Sequence, residues 1–157
     1  MNERSESCAR RRRLVLSAFL VLTLVGVNRA AADGAQPPWP VPENARNVKN
    51  PTKPSADGLK AAAQLYHEKC ELCHSESGSA NSPAAKSLPQ EPARFTDAKL
   101  MKNATDGELF CKITEGRPPM PSHEHQLSET QRWELVNYLR QLVERAKYQY
   151  LGNKDKR

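Results

Sequence analysis

The sequence lacks long apolar runs, strand-like alternation and internal repeats. Its longest apolar stretch, Leu14–Val27, has 14 residues, whereas a helix that spans a membrane needs about 20. No segment alternates apolar and polar residues as a half-buried strand does. The short run argues against a retained membrane anchor, and the lack of alternation predicts an all-α protein.

Cysteine is scarce, with four residues in 157. Cys70 and Cys73 form one C-x-x-C pair, and neither a second pair nor an H-x-x-x-H pattern follows it. A closed structural zinc site needs four ligands, so such a site is disfavoured. A thioredoxin-like redox motif normally follows a strand, but the residues before Cys70 have a helical pattern. A disulfide between the two cysteines, or a simpler metal clip, is also compatible with this pair.

Outside the N-terminal region, the excess of positive over negative charge is also small. The chain has a formal net charge of +6, and residues 1–32 contain six basic and two acidic side chains, so the remainder carries +2. A mildly basic surface of this kind does not name a partner. We therefore expect no nucleic acid partner.

The N-terminal region has the layout of a secretory signal peptide. The basic run Arg10–Arg13 precedes the apolar stretch Leu14–Val27, and the small residues Ala30–Ala32 follow it. We predict that residues 1–32 are a signal peptide, that it is cleaved after Ala32, and that the protein is exported to the periplasm. An uncleaved N-terminus would instead give weak membrane association.

The most informative segment is Cys70–His74, whose sequence is C-E-L-C-H. A C-x-x-C-H pattern is the attachment signature of a c-type haem. Each thiol adds across one vinyl group of the haem, and the adjacent imidazole becomes an axial ligand of the iron. The predicted cofactor is therefore one covalently attached haem c, bound by Cys70, Cys73 and His74.

Thioether formation at Cys70 and Cys73 leaves an odd cysteine in the exported chain. Cys8 precedes the apolar stretch, so it is expected to leave with the signal peptide. Cys111 lies in the apolar helical pattern Leu109–Ile113. We expect a buried, inert thiol at this position rather than a reactive one.

Proline is concentrated near the N-terminus, where residues 33–54 hold six of the 12 prolines. Because proline is excluded from helix interiors, we expect residues 33–56 to be extended and helix-free. This segment would wrap across the domain or act as a stiff tether, with Trp39 docked on the domain. One compact domain is predicted at 57–147, followed by a polar tail at 148–157.

Four helices are predicted in this domain. The first is capped by Ser55 or Asp57 and runs to the haem-attachment turn, and the second is capped by Thr96. The third and fourth begin at the capping boxes Thr105–Glu108 and Ser128–Gln131. The fourth carries an apolar stripe at helical spacing that is expected to pack on the first, namely Leu135, Val136, Leu139, Leu142 and Val143.

The loop Gly116–Pro121 ends the third helix and contains three prolines around Met120. The prolines exclude a helix and restrict the backbone on both sides of the methionine. A thioether is a soft, neutral ligand, and histidine with methionine raises the haem potential. We predict Met120 as the distal ligand, against the alternative that it fills an apolar gap. Competing residues are assigned elsewhere: Met101 to the core, His123 and His125 to solvated surface, and His67 to the first helix.

Taken in order, these motifs resemble a single-haem class I cytochrome c over about residues 59–142. The matching positions are Cys70-x-x-Cys73-His74, Pro83, Thr105–Phe110, Gly116–Pro121, Leu127-Ser128, Arg132-Trp133, Val136 and Tyr138. The resemblance implies cytochrome c-like helices wrapped around the haem, with the first and last helices crossing. It also implies that the Pro83 carbonyl accepts a hydrogen bond from His74, which would orient the ring.

Two positions depart from the family pattern. Ala62 stands where the family usually has a glycine at the helix crossing, so the two helices are expected to lie slightly farther apart. Cys111 stands where many relatives have a large aromatic residue, so looser packing is expected there.

An iron with both axial positions filled leaves no open place for a substrate, so we predict an electron carrier and not an enzyme. The expected partners are periplasmic redox proteins or membrane respiratory complexes. Lysines are candidates for steering an acidic partner to the haem edge, namely Lys86, Lys99, Lys102 and Lys112.

Two other functions are compatible with the same motif. One is an electron-relay subunit of a specific dehydrogenase or oxidase, with residues 33–54 as its interaction segment. The other is a haem-based gas sensor with a displaceable sixth ligand. A two-haem peroxidase is disfavoured because the sequence contains one C-x-x-C-H.

Overall fold

The computed structural model describes residues 39–154. The predicted signal peptide, its cleavage after Ala32 and the removal of Cys8 lie outside these residues. The described part is helical, as predicted, apart from loops and an isolated bridge between Arg117 and Met120. The helices are α1 (Glu43–Arg46), α2 (Ala56–Lys69), α3 (Glu71–His74), α4 (Pro83–Ser87), α5 (Ala98–Asn103), α6 (Asp106–Glu115) and α7 (Glu129–Lys154).

Helix α2 forms where predicted because its N-cap residue and the spacing of its apolar residues both favour a helix here. The Ser55 hydroxyl accepts a hydrogen bond from the Gly58 backbone N–H at 3.1 Å, which satisfies one of the amides left free at a helix N-terminus. The buried face contains Ala62 and Tyr66. Helix α2 packs on α7, and Ala62 is completely buried.

Helix α7 begins at the predicted capping box. The Gln131 N–H donates to the Ser128 hydroxyl at 3.2 Å, and the Ser128 N–H donates to the Gln131 side-chain oxygen at 2.8 Å. The apolar stripe is buried as predicted. The helix is longer than predicted, because it continues to Lys154 through most of the expected polar tail. Large side chains in this last part are exposed, namely Tyr148, Tyr150 and Leu151.

Helix α6 is capped by Thr105, whose hydroxyl accepts from the Glu108 N–H at 3.1 Å. The Glu108 carboxylate accepts a hydrogen bond from Lys112 at 2.6 Å, so this residue pairs along the helix. The buried face of α6 packs on α7. There the Phe110 ring stacks on Trp133, with 4.0 Å between the ring centroids.

One predicted helix start and one predicted helix-free segment are wrong. Helix α5 is capped by Asp97 and not by Thr96, because the Asp97 carboxylate accepts from the backbone N–H groups of Lys99 and Leu100, at 2.8 and 3.1 Å. The segment expected to be helix-free contains α1. Pro42 precedes its first residue, and the next proline is Pro51, so the short run between them is open to a helical turn.

The segment 39–54, which we call the N-terminal strap, packs across the domain, which is the first of the two arrangements expected for it. Helix α1 lies on α6, and farther along the strap the Asn50 amide donates to Asn137 of α7 at 2.9 Å. A Cβ atom on Gly107 would lie 2.1 Å from the Ala45 carbonyl oxygen. The absence of a side chain on Gly107 therefore lets the strap backbone contact α6 directly.

Cys111 is buried where α6 meets the strap, and it packs with Ala45 and Val41. The strap therefore occupies the space beside this small side chain. The predicted burial of Cys111 is confirmed, but the predicted free thiol is wrong, because Cys111 is disulfide-bonded.

Arg140 of α7 holds the connection between α5 and α6 against the core. Its guanidinium donates to the Met101 carbonyl, to the Ala104 carbonyl at 2.7 Å and to the Asp106 carboxylate at 2.7 Å. These bonds satisfy carbonyls that the end of α5 leaves free. No helix in the described range is both long enough and apolar enough to cross a membrane.

Candidate functional site

The C-x-x-C-H segment forms a tight turn directly after α2. The Cys70 N–H donates to the Tyr66 carbonyl at 2.8 Å, and the Cys70 carbonyl accepts from the N–H groups of Cys73 and His74 at 3.2 and 2.9 Å. Both thiols are free and half-buried. The turn therefore presents two thiols and one imidazole from the same short stretch of backbone, as the attachment motif predicts.

Tyr66 fastens the end of this turn to the core. Its hydroxyl donates to the Ser75 carbonyl at 2.8 Å, and its ring contacts Phe95 and Tyr138. Burial, with smaller contributions from nearby groups that include Cys70, raises the pKa of Tyr66 far above its usual value. The phenol therefore stays protonated and remains a hydrogen-bond donor. Ser75 in turn accepts from the N–H groups of Asn81 and Ser82 at 2.9 Å.

The His74 ring is oriented by a loop carbonyl and an aromatic ring. Its Nδ1 lies 3.0 Å from the Ala93 carbonyl oxygen, and because a carbonyl can only accept, Nδ1 carries the proton. The ring stacks on Phe95 with 4.6 Å between the centroids. This tautomer leaves Nε2 with the lone pair that binds a metal.

The expected hydrogen bond from His74 to Pro83 is wrong. Pro83 is the first residue of α4, and its carbonyl accepts from the Ser87 hydroxyl at 3.1 Å. Ala93 takes the role instead, in the loop before α5. No local pattern distinguishes Ala93 in the sequence, because the contact joins residues 19 positions apart.

Burial sets the protonation of the ring and of the first thiol. Burial lowers the pKa of His74 below its usual value, although the bond to Ala93 opposes this effect. The imidazole is therefore neutral at neutral pH, which is the form that binds iron. Burial, and secondarily Cys73, raises the pKa of the Cys70 thiol to about 12.

Met120 lies at the end of a tight turn that follows α6. Gly116 ends the helix with φ of 61°, and the Met120 N–H donates to the Arg117 carbonyl at 2.8 Å. The Pro118–Pro119 peptide bond is cis, as in a type VI turn. The Met120 side chain is half-buried and packs against the same hydrophobic cluster as Cys70. The stiff loop predicted from the prolines is therefore present.

Three competing residues lie where the sequence predicts. Met101 is buried in the core, and the His125 side chain is 92% exposed. His67 is on α2 with an exposed side chain, and its Nδ1 lies 2.5 Å from the Glu71 carboxylate. Unlike Met101, which is enclosed in the core, Met120 offers a soft donor atom from a half-buried position in a loop.

The predicted surface position of His123 is wrong, because this side chain is only 4% exposed. The backbone N–H of His123 donates to the Ile113 carbonyl at 3.2 Å, and the backbone carbonyl of His123 accepts from the N–H of Leu127 at 3.1 Å. These bonds turn the chain back along α6 after the Met120 loop. Burial first, then the positive charges of Lys69 and Arg132, lower the pKa of His123, while Gln126 opposes them.

We expect this buried histidine to make the fold less stable in mild acid. Because its pKa is lower in the folded state, the unfolded chain binds the proton more readily below pH of about 6.5. The contribution of neutral His123 to the free energy of unfolding is fully present above about pH 7. It decreases as the pH falls below that value, by at most about 1.4 kcal/mol per pH unit. Urea unfolding of the wild-type protein and of His123→Gln at about pH 7.5 and 5.5 measures the difference.

The variant should lose less stability than the wild type between these two pH values. His125→Gln removes an exposed histidine two positions away and should keep the full wild-type dependence. An equal pH dependence in the wild type and in His123→Gln would contradict the assignment.

The lysines expected near the haem edge divide into two groups. Lys86, Lys99 and Lys102 are exposed and remain candidates for steering a partner. Lys112 is half-buried, binds Glu108 at 2.6 Å and lies 5.6 Å from the centre of the Trp39 ring. The charge of Lys112 is therefore paired within the protein, in contrast to the charges of the three exposed lysines.

The residues present fit a covalently attached haem. Two free thiols suit covalent attachment to the haem vinyl groups, and a neutral imidazole with its Nδ1–H donated to a carbonyl, together with a thioether on the core cluster, suits the two axial positions of a c-type centre. Among residues 39–154, no group of three or more His, Cys, Asp or Glu side chains is arranged to hold another metal ion. The described residues also contain no strand before Cys70, so the thioredoxin-like alternative lacks its βαβ context.

Comparisons with known proteins show which family this chain belongs to. The family model for "Cytochrome C oxidase, cbb3-type, subunit III" matches residues 57–139. A solved structure, the reducing HAO-like protein complex of Kuenenia stuttgartiensis, is similar with a TM-score of 0.53 and 30% sequence identity, over 61% of this chain and 49% of that chain. This chain thus spans about half the length of the one it matches. The comparison with curated proteins gives no match.

The family match covers more than half of the chain, and it confirms the predicted cytochrome c-like fold and the electron-carrying function. This chain belongs to the family of cytochrome c oxidase, cbb3-type, subunit III, and is an electron-carrying c-type cytochrome.

Proposed function

We propose that the chain is an exported, single-haem electron carrier of the periplasm. Cys70 and Cys73 hold the haem c covalently, and His74 and Met120 are its axial ligands. The haem supplies a one-electron Fe(II)/Fe(III) couple. The protein exchanges electrons with periplasmic redox proteins or membrane respiratory complexes and is not itself an enzyme.

One observation carries this proposal above the others. The turn after α2 presents two free thiols together with an imidazole whose Nδ1–H is donated to Ala93 at 3.0 Å. A hydrogen bond to a backbone carbonyl fixes the ring tautomer and strengthens donation from the other nitrogen to iron. A disulfide or a metal clip at Cys70 and Cys73 needs no oriented histidine at the next position.

The surface around the attachment turn supports exchange with a protein partner. Leu72, between the two cysteines, is 74% exposed, so a partner can approach this turn closely. Exposed Lys86, Lys99 and Lys102 suit an acidic partner surface, and such complementarity accelerates encounter. Met120 in a stiff loop suits a closed sixth position, which favours electron transfer over binding of gases.

A relay subunit of a larger redox assembly is a second candidate. The similar solved structure is a protein complex, and the end of α7 exposes Tyr148, Tyr150 and Leu151. Clustered exposed apolar side chains are typical of interaction surfaces. The strap is packed against α6 and α7, so the end of α7, and not the strap, is the exposed interaction segment of such a subunit.

The test is export of the full chain in a bacterial host with a c-type cytochrome maturation system. We expect a red periplasmic protein whose haem remains attached after denaturation. Its intact mass after reduction of disulfides should correspond to residues 33–157 plus one haem. A colourless product contradicts the haem site, and a product that retains residues 1–32 contradicts cleavage.

The native mass and ligand binding of the red protein separate the remaining functions. A free carrier is monomeric in extracts of its native host, whereas a relay subunit elutes with a second redox protein in fixed proportion. Ferrous carrier protein does not bind carbon monoxide readily at neutral pH. Ready binding would instead indicate a gas sensor.

A further inference from the structure

Trp39 at the start of the strap faces two cations at once. The Arg117 guanidinium carbon lies 4.8 Å from the centre of the indole ring, and the Lys112 amino group lies 5.6 Å from it. A cation within about 6 Å of an aromatic face is attracted to the ring. Trp39 therefore joins the strap both to α6, through Lys112, and to the Met120 loop, through Arg117.

The strap holds Trp39 in place through several contacts with α6. The Thr105 hydroxyl donates to the Arg46 carbonyl at 2.7 Å. Arg46 pairs with Glu108 at 3.5 Å, and Glu108 binds Lys112 at 2.6 Å. Because Ala45 also packs directly over Gly107, α1 has little freedom to slide along α6. The position of the Trp39 indole relative to α6 is therefore fixed.

Arg117 is coupled to Met120 through the backbone. The Arg117 carbonyl accepts from the Met120 N–H at 2.8 Å, and the two residues form the bridge that closes the turn. The other side of the loop is also tied to α6, since the Ser122 hydroxyl donates to the Thr114 carbonyl at 2.7 Å. Movement of the loop away from the domain therefore requires Arg117 to leave Trp39.

We propose that Trp39 is a positioning residue that holds the Met120 loop closed through Arg117. This inference rests on the proposed function, in which Met120 is the sixth ligand of the haem. Loop opening competes with this contact, so the strap lowers the fraction of molecules in which Met120 is released and an added ligand can enter. A segment outside the haem-binding motifs would thereby control access to the iron.

The experiment compares Trp39→Ala and Trp39→Phe with the wild type, all loaded with haem. Ferrous protein is mixed with carbon monoxide, and amide hydrogen exchange is followed at Arg117, Met120 and Ser122, since the three prolines of the loop have no N–H. In Trp39→Ala we expect carbon monoxide binding and exchange of the Met120 amide to accelerate roughly three- to tenfold, as for loss of a contact of this type. Trp39→Phe keeps an aromatic face and should stay close to the wild type.

Local and global effects are separated within the same measurements. A general loss of stability would also accelerate exchange in the core of α7, whereas release of the loop leaves those amides unchanged. Tyr148→Ala, which removes an exposed aromatic side chain from α7, is the matched control and should change neither rate.

Arg117→Gln tests the same contact if Trp39→Ala yields no haem protein, because it leaves the strap intact. We expect it to behave as Trp39→Ala does, and Arg117→Lys to restore slow exchange. Wild-type rates in Trp39→Ala, or in Arg117→Gln where that variant is used, overturn the inference and leave the proposed function standing. A wild-type protein that binds no haem, or binds carbon monoxide readily, overturns the proposed function instead.

Discussion

Met120→Ala is expected to convert the haem protein into one that binds carbon monoxide readily and has a much lower midpoint potential. Histidine with methionine ligation raises the potential of a haem, and axial ligands set potentials over a range of roughly 0.8 V. Removal of the thioether opens the proposed sixth position to water or to added ligands. We expect the potential to fall by on the order of 100 mV or more. A redox titration followed by absorbance measures both the potential and the ligand state.

Met101→Leu is the matched control for this variant. Met101 is buried in the core, and leucine has a similar volume and no sulfur. The control should keep the wild-type spectrum and potential. Met120→Ala protein with an unchanged spectrum and potential would show that another side chain, or none, occupies the sixth position.

Trp133→Ala is expected to cause the largest loss of folding stability, about 3–5 kcal/mol. Trp133 is 1% exposed, and its ring stacks on Phe110 at a centroid distance of 4.0 Å and an angle of 11°. The guanidinium of Arg132 lies over the Phe110 ring of this pair, 5.2 Å from the ring centre. Truncation therefore removes the largest buried side chain between α6 and α7 and leaves a cavity there.

Chemical denaturation of the haem-loaded protein measures this effect. Trp133→Phe retains a ring that can stack on Phe110 and should lose clearly less stability than the alanine variant. Tyr150→Ala, at an exposed position on the same helix, should lose less than about 0.5 kcal/mol. A loss below about 1 kcal/mol in Trp133→Ala would contradict the importance of this stack.

Local chemistry explains which sequence predictions are confirmed. Ser55 and the box Ser128–Gln131 act on amides within three positions of themselves, so their effect does not depend on the rest of the fold. The apolar stripe of α7 is buried because its spacing matches the helical repeat. The prolines around Met120 restrict their own neighbours, and this loop is indeed a tight turn.

Apart from the cap of α5, which is a local error of one residue, the errors in prediction arise where distant parts of the chain meet. His123 has polar neighbours in the sequence, yet it is buried because the chain folds back along α6 and its N–H reaches Ile113. Helix α1 forms within a proline-rich segment because it packs on α6 beside Gly107. Neither contact has a signal in the local residue pattern.

The sequence by itself determined the haem-attachment motif, the all-helical class and the position of the stiff methionine loop. Each of these depends on residue types at short spacings, and short-range stereochemistry acts before the chain is compact. Only the tertiary structure decided that Ala93 orients His74, that His123 is buried, and that Trp39 reaches Arg117. Those contacts join residues far apart in the chain, and they exist only once packing of the helices has brought the loops together.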